Sequence, residues 1–258
     1  MHLPLQKDLQ SNKISITQSE LATIICYPNF NIEDYTIRLN EIRSLGINTI
    51  LFGGRTKIGR MNIAGKGCVG LVVKVEIEDK IYACKIRRTD ADRKDMKREV
   101  LLHTIANSIG IGPSLFAYTE NFIIMEFIDG LTIIDWIRQQ QNLSTYKVRD
   151  IVVTVLKKCY DLDKIHLDHG ELSRLDRHVL ISEHDNVNII DFESSSNLRK
   201  ISNVTSATQA LLLNGMIARR INDLLNIPKN EIIQILRLYK QKPTKYNFDR
   251  LIQIVRMA

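Results

Sequence analysis

A glycine run set between two strands constrains this chain more than any other feature. Residues 65–72 read Gly-Lys-Gly-Cys-Val-Gly-Leu-Val. The run continues into Val72–Ile77, which is β-branched and strand-like. Glu78-Asp79-Lys80 then reads as a turn and Ile81–Ile86 as the returning strand. A dinucleotide-binding glycine run follows a strand and opens a helix, so this run belongs to another architecture. Two readings remain: a plain hairpin with a glycine-rich turn, or a loop whose backbone N–H groups close over phosphates. Lys85 stands fifteen residues beyond Gly70, in Tyr82-Ala83-Cys84-Lys85-Ile86. An ammonium in an apolar strand is costly unless it faces an anion. A phosphate oxygen would serve, and so would a carboxylate from the following helix. Glu99, within Met96–Leu102, is placed to be that carboxylate. Asp92 and Asp95 lie at the charged start of the helix and are less well placed.

The surrounding pattern gives the organisation. Thr17-Gln-Ser-Glu20 has capping-box spacing and predicts a helix over 17–26. Ile32, Tyr35, Leu39 and Ile42 predict a second over 32–45, ended by Gly46. A strand is expected at Asn48–Phe52. Phe122–Phe127 reads as a buried strand, 131–140 and 147–162 as helices, and Asn188–Phe192 as a short strand. From 203 onward the spacing is helical, with breaks near Pro228 and Pro243. Strands first and helices afterwards indicate α+β with two lobes, not an alternating parallel sheet. At 258 residues the chain can bury a large core without disulfide or metal. Its 44% hydrophobic and 25% charged residues exclude global disorder.

Two further segments carry chemistry. His166-Leu-Asp168-His169-Gly170-Glu171 leads through Leu172-Ser-Arg-Leu-Asp176-Arg-His178 into the apolar Val179-Leu180-Ile181. Ten residues on, Val187-Asn-Ile-Ile190 ends in Asp191-Phe192-Glu193. A polar acidic loop followed by a short strand ending in Asp can hold a base and a hard cation together. His166 and His169 form an HxxH without a cysteine partner, which is weak grounds for zinc.

With these segments in order, the chain resembles the protein-kinase-like superfamily. GKGCVGLV is similar to the glycine-rich loop and YACKI to the strand of the phosphate-binding lysine. IIMEFIDG is similar to the hinge, HGELSRLDRHVLI to the catalytic loop, and IIDFE to the metal-binding motif. The likeness runs over roughly residues 58–193. It is greatest to atypical archaeal-type Ser/Thr kinases with HGE and DFE variants, near the RIO type and the kinase of the KEOPS tRNA-modification complex.

The resemblance implies a bilobal fold. A helical appendage would cover 1–54, a β-rich N-lobe 55–128 and a reduced helical C-lobe 129–258. It implies ATP with Mg²⁺, or Mn²⁺, and transfer of the γ-phosphoryl group to a protein Ser or Thr hydroxyl. Gly65, Gly67 and Gly70 would cover the phosphates, and Lys85 would hold them, oriented by Glu99. Val72, Ala83, Met125 and Leu180 would line the adenine site, with backbone groups of Glu126 and Ile128 reading the base edge. Glu171 would take the place of the catalytic Asp, with Asp168 as the alternative. Asp191 would carry the metal. The position of the second metal ligand falls on Asp176 by spacing, or on His178 by matching the apolar run that follows.

The departures are as informative. Gly170 stands where an arginine is usual, Glu171 is one methylene longer than Asp, and Glu193 replaces a glycine hinge. These motivate three rivals: a pseudokinase scaffold, a small-molecule kinase, and an RNA-associated module switched by ATP hydrolysis. The charge bears on partners. Of the chain's net +7, residues 197–258 carry +8, eleven Lys and Arg against Asp223, Glu231 and Asp249, and the rest sums to −1. That segment is either a solvated helical surface or a dock for an acidic protein or RNA. No apolar run suggests a membrane span, and the opening MHLPLQKDLQSNK has no apolar leader stretch. Cys26, Cys68, Cys84 and Cys159 form no CxxC. The expectation is a cytoplasmic protein in a reducing compartment.

Overall fold

The computed structural model describes residues 17–139 and 144–258. Residues 1–16, with the opening MHLPLQKDLQSNK, and residue 140, the last of the expected helix 131–140, lie outside them. The fold is mixed α/β, with an antiparallel sheet and about ten helices. It divides into two compact units: residues up to Val100 with Ser114–Phe127, and Leu101–Pro113 with Ile128–Ala258.

The first unit opens with helices α1 (Gln18–Ile25) and α2 (Ile32–Ser44). Thr17 and Glu20 form the expected capping box on α1, and the Asn31 side chain caps α2. Strands follow at Thr49–Leu51 (β1), Thr56–Ile58 (β2), Met61–Ile63 (β3), Gly65–Lys66 (β4), Gly70–Ile77 (β5) and Lys80–Arg87 (β6). Helix α3 (Lys97–Asn107) begins in this unit, which closes with β7 (Leu115–Tyr118) and β8 (Phe122–Glu126). The sheet runs β1-β5-β6-β8-β7, with β4 beside β5, and β2 pairs with β3 alone. Alternation along β5 sends Leu71, Val73 and Val75 into a core with Ile24, Ile25, Tyr35 and Ile42. The expected appendage 1–54 therefore contributes helices to the same core as the sheet. Buried Arg38 reinforces this, its guanidinium donating to the Ile25 and Arg87 carbonyls at 2.6 Å each.

The second unit contains β9 (Gly130–Thr132), α4 (Ile133–Gln139), α5 (Thr145–Lys164), α6 (Leu175–His178), β10 (Val179–Ser182) and β11 (Val187–Ile189). Helices α7 (Asn203–Thr208), α8 (Gly215–Asn222), α9 (Lys229–Gln241) and α10 (Lys245–Met257) complete it. Helix α5 buries Val148, Ile151, Val152, Val155, Leu156, Cys159 and Leu162, one stripe at three- and four-residue spacing. Helix α10 packs on it, and Tyr160 stacks on Phe248 with centroids 4.2 Å apart. The small sheet is β11-β10-β9, antiparallel throughout. The strand expected over 188–192 stops at Ile189: the Ile190 amide makes one last in-register bond to the His178 carbonyl, and Asp191 then leaves the extended conformation at φ +70. No helix among the described residues is long and apolar enough to cross a membrane. All four cysteines are free thiols.

Candidate functional site

The site residues fall into two groups, one in each unit. In the first, Lys85 sits mid-strand on β6, paired across to Val72 on β5 and Ile123 on β8. Its Nζ donates to Glu99 Oε1 at 2.7 Å, with side chains only 5% and 3% exposed. Arg93 Nη1 stands 3.6 Å from Glu99 Oε2. Gly70 follows from this crowding, since a Cβ there would lie 3.0 Å from the Ile86 carbonyl and 3.1 Å from Lys85 Cγ. The glycine run forms the β4–β5 connection. Gly65 pairs with Val72, the Gly67 amide donates to the Gly70 carbonyl, and Arg88 Nη1 donates to the Gly67 carbonyl at 3.0 Å. Ala83 and Met125 face each other across β6 and β8. At Glu126, whose backbone was expected to read a base edge, the amide donates to the Ser114 carbonyl at 2.8 Å.

The second group is built on the loop between α5 and α6 and the segment after β11. His169 is fully buried. Its Nε2–H donates to the Ile190 carbonyl at 3.0 Å, and its Nδ1 accepts from the Glu171 amide at 3.4 Å. Burial, helped by the neighbouring His178, pushes its pKa down to about 4, so the ring is neutral at pH 7. Gly170 has φ +90, and a Cβ there would lie 2.7 Å from the Ser194 carbonyl and 2.4 Å from Arg199 Nη2. Any side chain there, including the arginine usual in the resembled motif, would have to displace Arg199 and the Ser194 backbone. Glu171 has both oxygens engaged: Oε1 accepts from the Ser194 hydroxyl and Oε2 from His178 Nε2 at 3.1 Å. The Ser194 bond, with His178 adding to it, holds the carboxyl below its ordinary value.

His178 ends α6 and is 6% exposed; its Nδ1 has no hydrogen-bond partner and lies 3.9 Å from Asp191 Oδ2. Asp176, two residues earlier, is exposed to solvent. Asp191 is about a third exposed, and Phe192 beside it is buried, stacked on His103 at 4.9 Å. Of the two candidates for the second metal position, His178 stands next to Asp191 in a buried setting. Asp168, the alternative base, is committed elsewhere. Its Oδ2 accepts from Arg199 Nε at 2.6 Å, and its Oδ1 accepts from the amide and hydroxyl of Ser202 at 2.7 and 2.9 Å. Leu180 is on β10, between Thr132 on β9 and Asn188 on β11, and Ile128 precedes β9.

Some supporting residues escape sequence reading. Asn203 Oδ1 accepts from the His169 amide at 2.8 Å, while its Nδ2 donates to Asp163 Oδ1 and the Leu167 carbonyl. Buried Asp163 also accepts from the Tyr239 hydroxyl at 2.9 Å, and burial raises its pKa. Ser194 and Arg199 belong to the same set. A buried polar residue on a helix face was the one available signal, and only Asp163 on α5 carries it. Among the described residues no group of three or more His, Cys, Asp or Glu is arranged to hold a metal ion. The eleven basic residues of 197–258 are all exposed.

No protein-family model matches the chain. Over 168 residues it is 27% identical to the "Probable serine/threonine-protein kinase PknB" of Lactococcus lactis subsp. lactis, a stretch covering 59% of this chain and 25% of that protein. The chain thus spans a quarter of the length of this relative. Over 121 residues it is 31% identical to "Uncharacterized protein MJ1211" of Methanocaldococcus jannaschii, covering 47% of this chain and 99% of that protein. The first match is a weak, partial homology to a Ser/Thr kinase, with which the sheet-and-helix fold is compatible.

Proposed function

From the premise that the chain belongs to the same family as the uncharacterized protein MJ1211 of Methanocaldococcus jannaschii, we propose that it is an atypical ATP-dependent serine/threonine protein kinase. That family's name carries no activity, so the proposal rests on residues and on the partial kinase homology. The kinship with RIO-type and KEOPS-type kinases and the bilobal arrangement belong to the same proposal.

The buried Lys85–Glu99 pair carries the reading. Burying two charges is expensive, and replacing such a pair with apolar residues is often neutral or stabilising. A pair that stability alone does not demand, held against a glycine turn, suits a lysine kept in place for a phosphate. His178 and Asp191 fit a nucleotide-bound cation. Two protein ligands are enough where phosphate oxygens and water complete the shell, and the unpartnered His178 Nδ1 is a buried donor atom awaiting a partner.

Bound ATP with its cation would supply the transferable phosphoryl group and neutralise its charge. In this chain, Lys85 and the amides of the glycine turn would bind the phosphates. Asp191 and His178 would hold the cation. Glu171 Oε1, which accepts from the Ser194 hydroxyl, is the atom that would accept the proton of a substrate hydroxyl. A serine already bound there also favours a second reading, a nucleotide-binding pseudokinase.

The test is transfer of radiolabel from ATP to a generic protein substrate by wild type, Lys85→Ala and Asp191→Ala. Wild type should label and both variants should lose at least about 100-fold, as expected for lost phosphate or cation contacts. No transfer by wild type, with nucleotide bound equally by all three, would overturn the proposal. Lys85-dependent binding without transfer would select the pseudokinase.

A further inference from the structure

The Glu171–His178–Asp191 geometry leads us to infer that this site prefers a first-row transition cation, with Mn²⁺ as its accessible probe, over Mg²⁺. Glu171 would be the positioning residue that aims the imidazole. The inference rests on the nucleotide-binding reading above and deepens it.

The argument starts from protons. A carboxylate only accepts hydrogen bonds, so the 3.1 Å contact to Glu171 Oε2 fixes the hydrogen on His178 Nε2. In the neutral ring, Nδ1 then carries a lone pair. That lone pair is buried, has no hydrogen-bond partner, and lies 3.9 Å from Asp191 Oδ2. An unsatisfied buried acceptor costs about 1–3 kcal/mol, which a cation shared with Asp191 would recover. Two ligands of one cation, each at about 2.0–2.2 Å, stand at most a little over about 4 Å apart, so the observed separation needs little movement. A metal-bound histidine whose other nitrogen donates to a carboxylate is the arrangement by which proteins fix ring orientation and tautomer. Glu171 has the two oxygens for two tasks, with Oε1 turned to a hydroxyl and Oε2 to the ring.

The metal preference follows from the ligand type. Mg²⁺ takes oxygen ligands and demands near-octahedral geometry at short distance. Imidazole nitrogen suits transition metals. An amide or carboxylate oxygen at 178 would remove that bias. The Asp176 carboxylate, two residues earlier, is exposed to solvent.

The experiment uses the full chain with ADP. Nucleotide binding is measured first with a fluorescent ADP analogue in Mg²⁺ and in Mn²⁺. Mn²⁺ affinity is then measured by loss of the free-ion EPR signal, with Mg²⁺ as competitor, for wild type, His178→Asn, Glu171→Gln and Glu171→Ala. Pulsed EPR on wild type labelled with ¹⁵N-histidine reads the nitrogen directly and distinguishes it from adenine nitrogen.

We expect a histidine ¹⁵N coupling in wild type and its loss in His178→Asn, with the Mn²⁺-over-Mg²⁺ preference falling about tenfold. Glu171→Ala should weaken Mn²⁺ by about 10–100-fold, and Glu171→Gln, whose amide oxygen still accepts from Nε2–H, should recover most of it. Bound nucleotide and Mn²⁺ with no histidine coupling would overturn the inference and leave the kinase reading standing. Failure to bind nucleotide with either cation would overturn both. The wild-type spectrum decides even if a variant does not fold.

Discussion

Lys85–Glu99 and Glu171–His178–Asp191 bring charge to their sites in opposite ways. The first is a buried ion pair between a strand and the following helix, with Arg93 also near the carboxylate, and is stated by the local sequence. The second is a chain of contacts from three segments, partly open to solvent, in which one imidazole joins two acids. A pair inside regular structure is held by the ladder around it. A loop cluster has no ladder and must be held by other polar groups, here Asn203, Arg199, Ser194 and Asp163. The contrast teaches that removing one group from the pair strands a buried charge, whereas removing a group from the cluster loosens a network.

The largest break should come from Glu99→Ala, which leaves Lys85 buried without its carboxylate and should cost about 3–5 kcal/mol in urea unfolding. Lys85→Met combined with Glu99→Leu should recover most of that loss, because both charges are then gone.

A pH titration of metal-free protein should expose the cluster next. His169 ionises at about 4 in the fold and near 6.5 unfolded. Between those values the unfolded chain binds a proton that the folded chain refuses. Stability should therefore fall as pH drops from 6.5 to 4, by about 3 kcal/mol in total, and the slope should flatten in His169→Gln. The Glu171 carboxyl is depressed, so its contribution is complete above 4.5 and is lost only as pH falls through its lower folded value. Unfolding curves at pH 7, 5 and 3.5 separate the two windows.

Gly170→Ala should follow at about 1–3 kcal/mol, from positive φ and the crowding by Ser194 and Arg199; thermal unfolding reads it. Lys245→Ala, which removes an exposed pair with Asp249 on α10, should change stability by less than about 0.5 kcal/mol.

The same contrast explains what could be read from sequence. Lys85 was legible because an ammonium in an apolar strand needs an anion, and Glu99 because the next helix offers it at the right place. The capping box and the stripes of α5 and α2 were legible because their partners lie within a few residues. Strands β2, β3, β7, β9 and β10 were not singled out, being three or four residues long with no room for alternation to show. Asn203 and Ser194 read as ordinary polar residues, because their burial comes from partners 34 and 23 positions away. Between Asp176 and His178, spacing and pattern disagreed in the sequence; in the fold His178 is buried beside Asp191 and Asp176 is exposed.

Gly170 has one further consequence. With no side chain there, Arg199 reaches Asp168 and the Ser194 carbonyl from downstream, and Ser202 and the backbone bridge between Asp168 and Ser196 close the same loop. The stretch from Phe192 to Ser202 is thus tied back to Asp168 at Ser196, Arg199 and Ser202. Groups more than thirty residues apart in sequence thereby act as one clasp, with Asp168 as its hinge-pin and Arg199 and Ser202 as its two arms.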